Sequence, residues 1–150
     1  MTDPRIESVG LRVRQLRRKR DLLGLDLRRE VKWLHRNGLS ERQIAALVKM
    51  AEPTIHTLLE VGERDLEPLD GFAGATPMEI CKRYEAGELD RQELIDQLVR
   101  FPYAPHGTTD GYDSLLVNPP GTWSELSLAT QMGIVDHDVY EEVFNRRHGL

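Results

Sequence analysis

Residues 39–60 read LSERQIAALVKMAEPTIHTLLE, and this stretch decides how the first half of the chain folds. Ser40 followed three residues later by Gln43 forms a capping box, which predicts that a helix begins directly after Ser40. Pro53 predicts the first turn of a second helix, where a missing N–H costs nothing. Each segment then has an apolar side, formed by Ile44, Ala45, Leu47 and Val48 in the first and by Ile55, Leu58 and Leu59 in the second. The stretch therefore predicts two short helices joined by a tight turn.

A longer helical pattern precedes this pair. Apolar residues recur at three- and four-residue steps between Arg5 and Asn37, at Ile6, Val9, Val13, Leu16, Leu23, Leu27, Val31 and Leu34. Arg20 occupies one place in the stripe, and Gly24 lies inside the pattern. The segment is either one long helix with a coiled-coil-like seam or two helices hinged near Gly24, and the unbroken periodicity favours one long helix. Asn37-Gly38 predicts its end.

The chain after residue 75 is also predicted to be helical. Thr76-Pro77 with Glu79 is a helix start, Asp90 with Glu93 is another, and Pro102 ends that second helix. Two further helices are predicted over residues 123–132 and 139–147. The order helix, Gly, hydrophobic residue, Asp, helix occurs at residues 86–90 and again 46 residues later at 132–136. The repetition indicates either a duplication or two independent helical hairpins. The chain is thus predicted to be all-α, or nearly so, with one short strand considered at residues 115–117.

Charge divides the chain of 150 residues into two unlike parts, although the whole carries only −5. Residues 1–64 hold 14 basic and nine acidic side chains, whereas residues 65–150 hold six basic and 16 acidic ones. Such asymmetry indicates different partners, with nucleic acid a candidate for the basic part. We therefore predict a basic helical domain at 1–64, a linker at 63–75, and an acidic helical domain at 76–150.

The stretch quoted above, 39–60, resembles the helix-turn-helix unit of phage repressors, antitoxins and sigma-factor-like regulators. In such a unit Ala45 is the small residue at the helix crossing, Ile44 and Val48 face the second helix, and Met50 fills the turn. Ile55 and Leu58 return these contacts. Two positions depart from the usual pattern, since Lys49 stands where the turn commonly has Gly and must adopt a left-handed conformation, and Ala51 replaces the usual Ser or Thr cap.

The resemblance implies that the second short helix reads double-stranded DNA in the major groove. The outward residues that would contact base edges are Glu52, Thr54, His56 and Thr57. Basic residues of the long helix and of the motif would contact phosphates, namely Arg14, Arg17, Arg18, Lys19, Arg20, Arg42 and Lys49. A guanine-reading Arg or Lys is missing between Glu52 and Glu60.

Enzymatic and metal-dependent chemistry finds little support in the sequence. It contains neither a Gly-rich phosphate loop nor a His-Glu-x-x-His motif, and its five His residues are scattered. Neither a metal nor a cofactor is expected, and the lone Cys81 is predicted to be a small core residue. His137 between two aspartates is interpreted as part of an exposed helix cap, and Asp110, Tyr112 and Asp113 as turn residues.

The function that we expect is a sequence-specific transcriptional regulator of the repressor type, acting as a homodimer in the cytoplasm without membrane contact. The acidic half would serve self-association, effector sensing or partner binding. Two alternatives stay open at this point: an antitoxin whose acidic half neutralises a basic toxin, and a helical adaptor that binds no nucleic acid.

Overall fold

The computed structural model describes residues 3–105 and 120–150. The described residues form seven α-helices, and they contain no sheet, only an isolated parallel bridge between Ala104 and Thr122. The helices are α1 (Pro4–Arg36), α2 (Glu41–Val48), α3 (Glu52–Gly62), α4 (Pro77–Glu85), α5 (Arg91–Arg100), α6 (Trp123–Gln131) and α7 (His137–Arg147). The prediction of an all-α fold is confirmed. The possible strand at 115–117 and the candidates Asp110, Tyr112 and Asp113 lie outside the described residues.

The chain forms two compact units, of which the first comprises Met1–Arg18 with Pro68–Leu150 and the second Lys19–Glu67. The boundary after Glu67 falls inside the predicted linker 63–75. The segment 1–18, however, groups with the acidic half and not with the rest of the predicted domain 1–64. A physical reason is visible in the first unit, where Arg14 and Arg18 both form ion pairs with Glu85 of α4.

The second unit consists of the end of α1 with α2 and α3. Its core is a small cluster of the buried residues Val31, Ile44, Ala45 and Ile55, against which Leu34, Leu39, Met50, Leu58 and Leu59 pack. The predicted capping box is present, because Gln43 N–H donates to the Ser40 hydroxyl and Ser40 N–H donates to the Gln43 side chain. Val48, expected to face α3, is instead exposed and lies outside this cluster. The helix α1 is continuous through Gly24, as the periodicity favoured.

The first unit contains two helical hairpins of the same design, α4–α5 and α6–α7. Each begins with a Thr N-cap, at Thr76 and Thr122, and the two N-caps are 46 residues apart. Each hairpin turns at a glycine with positive φ, Gly87 or Gly133. The aspartate that follows, Asp90 or Asp136, accepts a hydrogen bond from the third residue of the next helix. The similarity between the two segments of the sequence thus extends to the N-cap residue types, the turns and the helix lengths. The capping bonds differ, because the Thr76 hydroxyl accepts from Glu79 N–H, whereas Thr122 makes no side-chain cap hydrogen bond.

The helices of one hairpin pack on the matching helices of the other, α4 on α6 and α5 on α7. The resulting core consists of the buried residues Ile80, Cys81, Leu94, Ile95, Leu98, Phe101, Leu126, Ala129, Ile134, Val135, Val139 and Val143. Cys81 is fully buried, as predicted, and its burial raises the pKa of the thiol to about 12. A buried ion pair, Arg83 with Glu79 at 3.0 Å, lies beside this core.

Candidate nucleic-acid interface

The turn between α2 and α3 contains the left-handed residue predicted for it. Lys49 adopts the left-handed conformation, with φ 58° and ψ 47°, and its N–H donates to the carbonyl of Ala45. Met50 N–H donates to the same carbonyl at 3.1 Å. The expectation that Lys49 takes a glycine-like position is therefore confirmed. Since an L-residue adopts this region at a cost, the lysine is a strained choice for the turn.

Helix α3 is held by one side and exposed on the other. Ile55 is fully buried, whereas the four predicted base-contacting residues Glu52, Thr54, His56 and Thr57 are exposed. At the start of the helix Ala51 supplies no side-chain cap, as its sequence implied. The Thr57 hydroxyl donates to the carbonyl of Pro53 at 3.0 Å, so the same oxygen can still act as an acceptor.

His56 is engaged by two carboxylates on the outer surface. Its Nδ1 lies 2.9 Å from Glu41 on α2, and its Nε2 lies 3.6 Å from Glu60 one turn further along α3. The pKa of His56 is raised above its ordinary value, chiefly by the hydrogen bond to Glu41 and by the attraction of that charge. The sequence did not reveal this pairing, because Glu41 lies on the preceding helix and outside the reach of any local pattern.

Three basic side chains of α1 hold the C-terminal end of α3 and the residues that follow it, 63–66. Arg28 forms an ion pair with Asp65 at 2.6 Å, and Arg29 donates to the carbonyl of Leu66. The Lys32 ammonium donates to the carbonyls of Gly62 and Asp65, both at 3.1 Å. A positive charge at the C-terminal end of a helix is favourable, so these contacts fix the position of α3. Sequence analysis missed this role; the signal was the spacing of three basic residues along one side of a helix.

The predicted phosphate-contacting residues divide into two groups. Arg14 and Arg18 are used inside the first unit, where both pair with Glu85 and Arg14 also donates to the carbonyl of Gly133. The other five, Arg17, Lys19, Arg20, Arg42 and Lys49, are exposed, as is Arg14, whereas Arg18 is half-buried. Of these, Arg42 at the start of α2 and Lys49 in the turn lie within the α2–α3 pair that resembles a helix-turn-helix unit.

The charge of the second unit differs from that of the predicted domain. Lys19–Glu67 contains nine basic and nine acidic side chains, so its net charge is zero. Most of the positive excess in the predicted domain comes from the segment 1–18, and Asp65 and Glu67 cancel the remainder. Attraction between this unit and phosphates must depend on where individual charges lie and not on an overall field.

Metal sites and membrane spans are two other features to consider in the described part of the chain. No group of three or more His, Cys, Asp and Glu side chains there is arranged to hold a metal ion. None of the described helices combines the length and apolar character needed to cross a bilayer. The chain matches no protein-family model, no curated protein and no solved structure.

Proposed function

We propose that the chain is a sequence-specific DNA-binding regulator in which α3 enters the major groove. The observation that supports this function best is the arrangement of the second unit. Ile55 anchors α3 to α2 and to the end of α1, while Thr54 and Thr57 project from its free side. Three packed helices with one exposed, polar face on the third helix are the minimum that groove docking needs.

Base reading would rest on short polar side chains. Thr54 and Thr57 offer hydroxyls and methyl groups, which suit either a base edge or the methyl group of thymine. Glu52 at the first turn would accept from the amino group of cytosine. His56 would act mainly through charge, because its protonated ring offsets the repulsion between Glu41, Glu60 and the phosphates. Binding should consequently tighten as the pH falls towards the range in which His56 is protonated.

Phosphate contacts in this unit are assigned to Arg42 and Lys49. Each neutralised phosphate contributes a slope of roughly −0.9 to the dependence of log K on log salt. Two contacts in a unit of zero net charge predict a shallow slope and modest affinity. Arg17, Lys19 and Arg20 stay predictions, because they lie on α1 outside the motif.

The experiment is a fluorescence-anisotropy titration of the full chain on labelled random duplex DNA between about 50 and about 200 mM salt. Arg42→Glu and Lys49→Glu should each weaken binding and lower the slope by roughly one. Arg64→Glu is the matched control, since Arg64 is exposed, follows the C-terminal end of α3 and lies outside the proposed interface. Absence of binding up to about 100 µM protein, the weak end of non-specific affinities, would refute DNA binding.

Sequence preference is tested separately by selecting tight-binding duplexes from a random pool. Thr54→Ala and Thr57→Ala should change which bases are selected while leaving the salt slope unchanged, because neither residue contacts a phosphate. A pool that remains random with the parent chain would mean that the binding is non-specific.

A helical adaptor is the second candidate, and one observation favours it. The exposed side of α3 carries Glu52 and Glu60 and neither Arg nor Lys, a surface better suited to a basic protein segment than to phosphates. In the titration above, an adaptor would show no DNA binding at low salt. The acidic residues 65–150 remain the predicted site for a toxin or another basic partner.

A further inference from the structure

The apolar stripe of α1 is exposed along most of its length. Seven positions, Ile6, Val9, Val13, Leu16, Arg20, Leu23 and Leu27, follow the alternating three- and four-residue steps of a coiled coil, and we call them the heptad stripe. The exposed fractions of its six apolar residues run from 42% at Leu27 to 66% at Leu23. The next apolar residue of the helical pattern beyond the heptad stripe, Val31, is buried in the core of the second unit.

The chain's own contacts use the other side of this helix. With Ile6, Val13, Arg20 and Leu27 as the a positions of the heptads, Val9, Leu16 and Leu23 are the d positions. In the first unit, Arg14 and Arg18 pair with Glu85 from b and f positions. In the second unit, the buried residues Leu22 and Arg29 occupy c positions. The b, c and f positions face away from a coiled-coil seam, so intrachain packing leaves the seam open.

We propose that a second copy of this chain covers the heptad stripe, forming a parallel, in-register, two-stranded coiled coil over residues 6–27. Four of the six apolar residues carry the choice of partner: β-branched Ile6 and Val13 at a positions, with Leu16 and Leu23 at d positions, are the combination that favours parallel dimers. Val9 at d and Leu27 at a depart from this combination. Arg20 is a single polar a residue in the middle of the seam, a feature that fixes register at a cost in stability. The use of this seam for pairing two motifs on DNA rests on the proposed function, but the seam itself is tested without DNA.

Like charges beside the seam should repel each other and weaken the dimer. In a parallel pair the g position of one heptad faces the e position of the next heptad in the other chain. Arg12 at g then faces Arg17 of the second copy, whereas Arg5 and Lys19 face glycines. The two Arg20 side chains also meet. Because these charges are alike, added salt should tighten this dimer, which is the reverse of an interface built on salt bridges.

The test is sedimentation of the full chain over micromolar concentrations, at salt from about 0.01 to about 1 M. We expect a monomer–dimer equilibrium that shifts to dimer with salt. Leu16→Glu should give a monomer throughout, and Leu47→Glu should not, since Leu47 is equally exposed but lies on α2. At concentrations where the parent is monomeric, far-UV circular dichroism should be unchanged in both variants, because neither side chain is buried within a single chain.

A charge-exchange cycle separates the parallel seam from every other arrangement. Arg12→Glu and Arg17→Glu, made singly, each turn two repulsive pairs into attractive ones and should tighten the dimer about fourfold to thirtyfold. The double variant faces Glu with Glu and should return to the affinity of the parent. Additive effects in the double variant would refute the parallel register, since Arg12 and Arg17 would then not face each other.

Two further results would overturn the inference. One is a chain that stays monomeric at every salt concentration, with Leu16→Glu identical to the parent. The other is a monomer that cosediments with vesicles containing phosphatidylserine in a manner that depends on Leu16, which would assign the stripe to a lipid surface. Failure of the DNA titration would leave the seam intact, and a monomeric chain that binds DNA would leave the proposed function intact.

Discussion

The helix crossing in the second unit can be tested by enlarging one side chain. Ala45 is 8% exposed and lies in the buried cluster with Val31, Ile44 and Ile55. Ala45→Leu adds three carbon atoms to a position inside that cluster. Overpacking of this kind costs about 1–3 kcal/mol, because neighbouring side chains must leave their preferred rotamers.

The expected size of the effect follows from that cost. A loss of about 1–3 kcal/mol raises the population of the opened second unit about fivefold to about a hundredfold or more. Amide hydrogen exchange followed by mass spectrometry reports this population for each segment. Peptides covering α2 and α3 should exchange faster by that factor in Ala45→Leu.

Ala46 supplies a matched control, since it is the next residue of the same helix and is exposed. Ala46→Leu makes the same chemical change with little effect on helix propensity, so exchange should remain within about twofold of the parent. Parent-like exchange in Ala45→Leu would refute the crossing of α2 and α3 at this residue, and with it the helix-turn-helix assignment.

Three more predictions concern single groups. Because folding raises the pKa of His56, its stabilising contribution is complete below about pH 6.5 and is lost as the pH rises through the folded pKa. Above about pH 6.5 the urea midpoint of the parent should therefore fall relative to that of His56→Gln. Midpoints of the two chains that change with pH in the same way would contradict the pairing with Glu41. Cys81, whose pKa is raised to about 12, should react with a thiol reagent at about pH 8.5 only as fast as the first unit opens, and immediate labelling of the native chain would contradict its burial. Lys32→Met keeps the apolar stem but removes the donors to Gly62 and Asp65, which should lower the local stability by about 1–2 kcal/mol. Amide hydrogen exchange at the end of α3 should be faster accordingly, and exchange equal to that of the parent would mean that Lys32 does not hold that end.

Local signals in the sequence predicted local structure well. Ser40 with Gln43 and Asp90 with Glu93 form the capping boxes expected of them, and the structure confirms both. Lys49 takes the left-handed conformation expected at a position where the motif commonly has Gly. Such features depend on residues within four positions of each other, where the geometry of a helix leaves few alternatives.

Local sequence patterns could not predict ion pairs between residues that are far apart in the sequence. The periodicity of α1 does not show that Glu85, far along the chain, lies opposite Arg14 and Arg18, so their ion pairs could not be predicted. The heptad stripe is a regular apolar pattern, yet the intrachain contacts of α1 described above come from the opposite side of the helix. Apolar spacing identifies a surface that needs a partner, but it does not tell whether that partner belongs to the same chain.

The two matched hairpins also bear on how the first unit reaches its native state. Neither hairpin can bury its apolar side alone, because α4 packs on α6 and α5 on α7. The rate-limiting event should therefore be an encounter between segments 46 residues apart, which gives slower folding than a bundle of purely local contacts. Lengthening the connection between the two hairpins should lower the stability of the first unit by only about 0.6 kcal/mol for each doubling of the length of that connection. The same interface should allow the hairpins to reassemble as separate polypeptides at sufficient concentration, so that the unit is a natural candidate for a split reporter.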